Sequence, residues 1–417
     1  MIALVSLLAL AACSSTKGGG TGAGPGGGGS ANPSASGTNS SGGTQSASAT
    51  PTTPAVPKPT FSAAPLPKVI KIGVEGPLTG SQVPTGSGMV QGAELAAAQI
   101  NAGGGLLGHK IQIVPIDDAA DPNTAIRASQ HAISQHLSAV IGPFTGGAGT
   151  QVMWRYLKAK LTPIRLTTTS SQDGMGYSLQ PNETTLAPKT VKALQYLHAK
   201  RVALIYDDTD TATMTMDAAL IASLKSAGIK LTYNGPLLPG NTNYLTQVNA
   251  AAGSHPDAIM SIAYYPEAAN IAASLLEEHL SATCVIDYVG ADPNFIPLSG
   301  VNAAKRCHFI GAPTPTSWKG GADFASAYKG KYLSPPGTWS PYTYDAVNLL
   351  ADALKTTGSL TPSALKAYFG WEQNFVGVTG PITFDTRTGN RVSTPVVMLQ
   401  VDGSGQLQID SAGTAAL

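Results

Sequence analysis

The chain has 417 residues, of which 42% are hydrophobic and only 12% charged, with a net charge of +1. This length buries a sizeable core and suggests two domains. A near-neutral balance without a basic stripe speaks against a nucleic-acid binder.

The first twelve residues, MIALVSLLALAA, form an apolar run too short to span a bilayer as a stable anchor. They are expected to be a signal peptide. The run ends at Leu10-Ala11-Ala12-Cys13, which resembles the lipobox of bacterial lipoproteins. That resemblance implies cleavage before Cys13 and a lipid on its sulfur. One feature departs from the pattern, because no Lys or Arg precedes the apolar run. Residues 13–67 then hold the lipidated Cys13 and a tether. From Ser14 to Pro67, Gly, Ser, Thr, Ala and Pro dominate, and Phe61 is the single aromatic residue. Such a segment cannot offset its ordering entropy by apolar burial, so it is expected to be disordered. A flexible chain of about 54 residues spans roughly 40 Å, enough to hold a folded body off a membrane.

From Val69 the pattern alternates. VIKIGV (69–74) reads as a strand, Met89–Asn101 as a helix and KIQIVPI (110–116) as a second strand. Asp121-Pro122 opens a helix, with Asp at the cap and Pro at the first helical position. Ile126, Ile133 and Leu137 share one of its faces. AVIG (139–142) is a third strand, 149–159 a helix and TPIRL (162–166) a fourth strand. After Pro181 the alternation restarts. Helices at 184–198, 213–227, 243–252 and 267–280 separate the strands RVALIYD (201–207), IKLTYN (229–234), DAIMSIA (257–263), CVIDYVG (284–290) and CHFIGA (307–312). Two such runs predict an α/β fold of two doubly wound parallel-sheet lobes. Beyond Pro313, helices at 321–332, 342–356 and 362–369 precede short strands near Val376, Ile382 and Val396–Val401. Three consecutive helices do not extend an alternating sheet and are expected to return to the first lobe, making a multi-crossing hinge. The expected division is 68–184 plus 315–390 for lobe 1 and 185–314 plus 391–412 for lobe 2. Cys284 and Cys307 lie in two strand-like segments. If these strands are neighbours a disulfide is geometrically possible, and otherwise they are two buried thiols.

Catalytic patterns are absent. Gly103–Gly108 fits G-x-G-x-x-G formally, but it follows a helix and precedes a strand, the wrong context for a dinucleotide. There is no G-x-S-x-G, no Walker loop and no H-E-x-x-H. His131 and His136 are not at helical metal-ligand spacing. Asp117-Asp118 and Asp207-Asp208 end strands, where caps and turns want Asp. No catalytic residue, metal or cofactor is expected. The strand ends do carry hydroxyls and open backbone: Pro143-Phe144-Thr145-Gly146-Gly147 after the third strand and Thr167-Thr168-Thr169-Ser170-Ser171 after the fourth. Ligands of open α/β sheets sit at such ends, and N–H groups entering a helix favour an anion. The second lobe offers Asp207–Asp210, Tyr264-Tyr265 and Asp292, which suit a cation or hydrogen-bond donor. Alternation at a strand end sends the rings of Tyr264 and Tyr265 to opposite sides, one of them toward the cleft.

In their order and spacing, GAELAAAQINAGGGLLGHKIQIVPIDDAADP, AVIGPF, RVALIYDD, YYPEAA and TGPITFDTRTG resemble the leucine/isoleucine/valine-binding proteins and their relatives. These are the type I periplasmic solute-binding proteins of ABC transporters, and the resemblance covers about Val69 to Ile409. It implies that a ligand carboxylate meets Thr145, Gly146 and Gly147 and Thr167, Thr168 and Thr169. It implies that the ligand amino group meets Tyr264 or Tyr265 and Asp292. Departures bear on specificity. Family tyrosines fall near Thr85 and at Thr211, and a serine of the carboxylate loop becomes Gly146 or Gly147. The family's first-lobe disulfide is missing, its positions reading Ala120 and Thr145. The implied protein is a monomeric, lipid-anchored, extracytoplasmic receptor. It captures an amino acid, a branched-chain one included, or an amide-like ligand for an ABC permease. A sensor passing a signal to a membrane partner is the alternative. An extracytoplasmic hydrolase would need a nucleophile–base pair that the sequence lacks.

Overall fold

The β-prone runs and the apolar helical faces between them assemble, in the computed structural model, into two mainly parallel sheets covered by helices. The structure describes residues 58, 59, 61 and 65–417. The expected signal peptide, Cys13 and nearly all of the tether lie outside the described residues.

The first lobe begins with β1 (Val69–Gly76), α1 (Val83–Ala102), β2 (Lys110–Asp117), α2 (Pro122–Ser134), β3 (Ala139–Ile141), α3 (Gly146–Lys158), β4 (Pro163–Arg165) and β5 (Tyr177–Ser178). Its sheet runs β2-β1-β3-β4-β5, all parallel. Ile70, Ile72 and Val74 point to one face of β1 and are buried there. At α2, Asp121 accepts from the Thr124 amide at 2.7 Å, and Pro122 takes the first turn. Of that helix's expected apolar face, Ile133 and Leu137 join the buried cluster, while Ala125 and Ala132 make its deepest contacts.

The chain continues through α4 (Glu183–Tyr196), β6 (Arg201–Asp207), α5 (Thr211–Ser226), β7 (Lys230–Leu237), α6 (Leu245–Gly253), β8 (Ala258–Ile262), α7 (Tyr265–Glu277) and β9 (Thr283–Ile286). Two short helices, α8 (Phe295–Ser299) and α9 (Val301–Ala304), lead to β10 (Cys307–Gly311). Then come α10 (Gly321–Tyr332), α11 (Ser340–Thr357) and α12 (Pro362–Trp371). The hairpin β11 (Phe375–Gly377) and β12 (Gly380–Ile382) precedes β13 (Val397–Val401), β14 (Leu407–Ile409) and α13 (Ser411–Ala416). The second sheet has the order β14-β13-β10-β9-β8-β6-β7, with β13 and β14 antiparallel. Cys284 and Cys307 are register partners on β9 and β10, and a disulfide joins them.

The three late helices return to the first lobe. Thr343 Oγ1 donates to the Met89 carbonyl at 2.7 Å, and Tyr332 Oη donates to the Gln91 carbonyl at 2.9 Å. A Cβ on Gly92 would lie 2.1 Å from the Ser340 carbonyl oxygen, so glycine lets α1 and α11 touch backbone to backbone. The chain therefore passes between lobes after β5, after β10 and before β13.

Several elements depart from the sequence reading. Helix α1 starts at Val83, not Met89, and α3 starts at Gly146, not Gly149. The segment 284–290 is not one strand: β9 stops at Ile286, and Tyr288–Gly290 is a 3-10 turn. β5, β14, α8, α9 and α13 are too short to show a periodicity and were not expected.

Candidate functional site

The two lobes meet at the carboxyl ends of β3, β6 and β8. On the first lobe, Thr145 has extended backbone before α3, and its Oγ1 accepts from the Ala148 amide at 3.4 Å. Gly149 begins the helical ladder by donating to the Thr145 carbonyl at 3.0 Å. The amides of Gly146 and Gly147 have no partner within the helix, as expected for a helix start.

Both amides are met by side chains of the second lobe. Gly147 N donates to Asp210 Oδ2 at 2.6 Å, and Gly146 N donates to Tyr264 Oη at 3.3 Å. Tyr264 Oη donates to Asp210 Oδ1 at 3.4 Å, which closes the triangle. Asp210 sits there because it caps α5, accepting from the Ala212 amide at 2.8 Å. Tyr264 sits there because it is the last extended residue before α7. Burial pushes the Asp210 carboxyl up to about 6, and the amides of Gly147 and Ala212 hold it lower than burial alone would. Burial, with the adjacent Asp210 charge, pushes the Tyr264 phenol well up.

A row of weaker contacts extends the seam. Thr150 Oγ1 donates to Thr211 Oγ1 at 3.1 Å, and Thr215 Oγ1 donates to Thr169 Oγ1 at 3.1 Å. Tyr265 Oη donates to the Ser81 carbonyl at 2.9 Å. Tyr288 Oη donates to Gln180 Oε1 at 2.7 Å. Phe144 lies between Tyr264 and Trp339, with ring centroids 5.5 and 5.2 Å away.

The structure thus brings Thr145, Gly146, Gly147, Tyr264 and Thr211 into one contact group, with Thr169 on its flank. Both tyrosines reach the first lobe, where the alternation argument expected one. They leave β8 toward different packing clusters and arrive at different points of lobe 1. Thr167 turns inward, donating to Gln172 Oε1 at 2.8 Å, and Thr168 is buried beside it. Thr85 is buried in the first turn of α1, and its hydroxyl has no hydrogen-bond partner. Asp292 hydrogen-bonds within its own turn, accepting from Asn294 N at 2.9 Å and Nδ2 at 2.7 Å. Its charge acts on the Tyr265 phenol, and burial raises its carboxyl.

In this arrangement Asp210 and Tyr264 accept from the two amides at the α3 start that the sequence left open. Asp210 was read from the sequence only within an acidic strand end. The Asp at a helix cap was visible, but its reach across to Gly147 was not. Beside this seam is a cavity of about 510 Å³, lined by Ser81 and Pro84 of lobe 1 and by Asn241, Tyr265, Glu267 and Asn294 of lobe 2. Glu267 accepts from the Gly240 amide at 3.1 Å, and burial raises its carboxyl. A second cavity, of about 240 Å³, lies at the opposite end of the first sheet beside Ile70, Leu137 and Leu354, away from these groups. Among the described residues, no cluster of three His, Cys, Asp or Glu side chains is arranged to hold a metal. No helix among them is long and apolar enough to cross a membrane.

Comparison with known proteins places this geometry. Residues 69–406 match the sequence model of a family described as periplasmic binding protein. The Leu/Ile/Val-binding protein BraC3 of Rhizobium johnstonii is 26% identical over 298 residues, covering 70% of this chain and 80% of its own. The Leu/Ile/Val-binding protein of Escherichia coli is 25% identical over 338 residues, covering 78% and 89%. The crystal structure of the branched-chain amino acid transporter substrate binding protein LivJ from Streptococcus pneumoniae, in complex with isoleucine, superposes with a TM-score of 0.73. It is 25% identical and covers 82% of this chain and 98% of its own.

Proposed function

This chain belongs to the periplasmic binding protein family, the extracytoplasmic substrate-binding components of ABC transporters, and on that premise we propose how it captures its solute. The two lobes close on a small polar organic ligand, an amino acid or an amide-like compound, and present it to a membrane permease. The observation that carries this reading is the seam itself. Helix-start amides of one lobe face a phenol and a carboxylate of the other, at strand carboxyl ends, with a cavity alongside.

The groups proposed to bind the ligand are Thr85, Thr145, Gly146, Gly147, Thr167, Thr168, Thr169, Thr211, Tyr264, Tyr265 and Asp292. A ligand bound near 1 μM requires about −8 kcal/mol, within reach of a buried polar site. We further propose that Cys13 carries the lipid that keeps the protein at the outer face of the membrane. It acts as a binder and not as an enzyme.

A thermal-shift screen against amino acids, amides and small carboxylates tests the main reading, because a ligand selective for the folded state raises the melting temperature. Calorimetry on a hit should show one site. That site should weaken in Asp292→Ala and in Tyr264→Ala or Tyr265→Ala. A hit whose affinity is unchanged in all three would place the ligand elsewhere. Cys13→Ala should move the protein from the membrane fraction to the soluble one.

A further inference from the structure

We propose that Asp210 is a built-in replacement for a ligand carboxylate, and that it restricts this cleft to ligands with no carboxylate to offer, such as neutral amides or amines. The inference rests on the solute-capture reading and narrows its ligand class.

Every donor at the start of α3 is accounted for in the closed arrangement. Gly146 N goes to Tyr264 Oη, Gly147 N to Asp210 Oδ2, Ala148 N to Thr145 Oγ1 and Gly149 N to the Thr145 carbonyl. The shortest of these bonds, at 2.6 Å, has the length of a charge-assisted contact, and its acceptor is a carboxylate. Chemically this is what a bound acid would supply at a helix start. Here the second lobe supplies it from within the chain.

Space leads to the same conclusion. A single added carbon on Gly146 would lie 2.4 Å from Ala212 N and 2.9 Å from Asp210 Oδ1. On Gly147 it would lie 3.1 Å from Asp210 Oδ2. With the lobes this close, Asp210 fills the space beside both glycines, and a ligand carboxylate would have to displace it to reach their amides. Charge agrees as well. The charge that acts on Asp210 is that of another acid, Asp207, and it raises the Asp210 carboxyl. Among the described residues, no Lys or Arg side chain hydrogen-bonds to Asp210, Tyr264 or Thr211, so a second carboxylate would be brought against Asp210 with no cation bonded to it. The adjoining cavity continues this character, with Glu267, Asn241 and Asn294 on its wall and no cation. Carboxamides and a carboxylate there suit N–H donors.

The test compares wild-type chain with Asp210→Ser and Asp210→Asn, using thermal shift and calorimetry. The probes are matched pairs, leucine with leucinamide and benzoate with benzamide. Serine keeps the cap on α5 but is too short to reach Gly147, whereas asparagine keeps an acceptor there. Asp210→Gly, also tolerated at a cap, stands in if the serine variant does not fold. The expected result is that the serine variant gains leucine or benzoate binding by about tenfold or more, while wild type and the asparagine variant do not. Wild type that prefers an acid over its matched amide overturns the proposal. So does a folded serine or glycine variant that gains neither acid. A wild type that binds neither class, beside a serine variant that gains an acid, upholds the role of Asp210 and puts the wild-type solute outside these two amides.

Discussion

Gly146→Ala should prop the lobes apart without unfolding either. The new Cβ would lie 2.4 Å from Ala212 N, 2.8 Å from Ala212 Cβ and 2.9 Å from Asp210 Oδ1, all on the opposing lobe. Unstrained carbon contacts need about 3.5 Å. The seam must therefore open by about 1 Å, which stretches the 2.6 Å Gly147–Asp210 bond and the 3.3 Å Gly146–Tyr264 bond past useful range. Losing one charge-assisted and one neutral hydrogen bond costs about 2.5–4 kcal/mol. The closed population should then fall by roughly two to three orders of magnitude. Each lobe keeps its own core, and alanine is a better helix former than glycine, so the melting temperature should barely move. Small-angle scattering under identical conditions reads the change as a larger radius of gyration. Gly253→Ala is the control, because a Cβ there meets nothing within 4 Å. A Gly146→Ala protein whose scattering matches that of wild type would refute the geometry on which the seam rests.

Replacing both Cys284 and Cys307 by alanine should lower stability by about 3 kcal/mol in the chain-entropy model, since the bridge closes a separation of 23 residues; an unchanged urea midpoint would contradict a formed bond. Tyr265→Phe removes the hydroxyl that reaches the Ser81 carbonyl at 2.9 Å, and should weaken closure by about 1 kcal/mol, read as a roughly fivefold loss of ligand affinity. Asp287 is buried, and burial raises its carboxyl from 3.8 to about 7. A raised acid binds more protons folded than unfolded, so its contribution is full below pH 4 and declines until about pH 7. Asp287→Asn should accordingly stabilise at pH 8, with a ceiling of about 4 kcal/mol, and the gain should vanish at pH 4. Thermal melts of the two proteins across that range decide it, and a constant difference would mean that the Asp287 carboxyl titrates alike in the folded and unfolded chain.

The alternation of strands and helices was legible because parallel sheets bury both faces, which makes β6 and β8 nearly continuous apolar runs. Asp121-Pro122 marked the start of α2 for an equally local reason. The start of α1 was hidden by its own composition. Val83–Gly88 reads VPTGSG, poor in helix formers, yet the helix begins there. A Cβ on Gly86 would lie 2.1 Å from the Pro77 carbonyl oxygen, and one on Gly88 3.0 Å from Ser340 Oγ. These glycines weaken the helix locally and permit the close packing that pays it back, a balance that only the tertiary structure displays. Gly146 and Gly147 obscured the start of α3 in the same way.

The site shows a further limit of local reading. Thr145, Gly146, Gly147 and Tyr264 were identifiable because each is unusual where it stands: open backbone at a strand end, or a phenol before a helix. Asp210 is not unusual. An Asp one residue before a helix is fully explained by the cap it makes to Ala212, so its second oxygen leaves no mark on the pattern. Whether that oxygen meets solvent, a ligand or Gly147 depends on how far the hinge lets β6 approach β3, and no stretch of sequence encodes that distance. A residue with a sufficient local role can thus carry a remote one unseen. The cap is made entirely within the second lobe and needs nothing from the first, so the lobes close onto an acceptor that is already ordered. Closure then costs Asp210 little side-chain entropy, and the competition with a ligand acid is tilted further toward the residue the chain already holds.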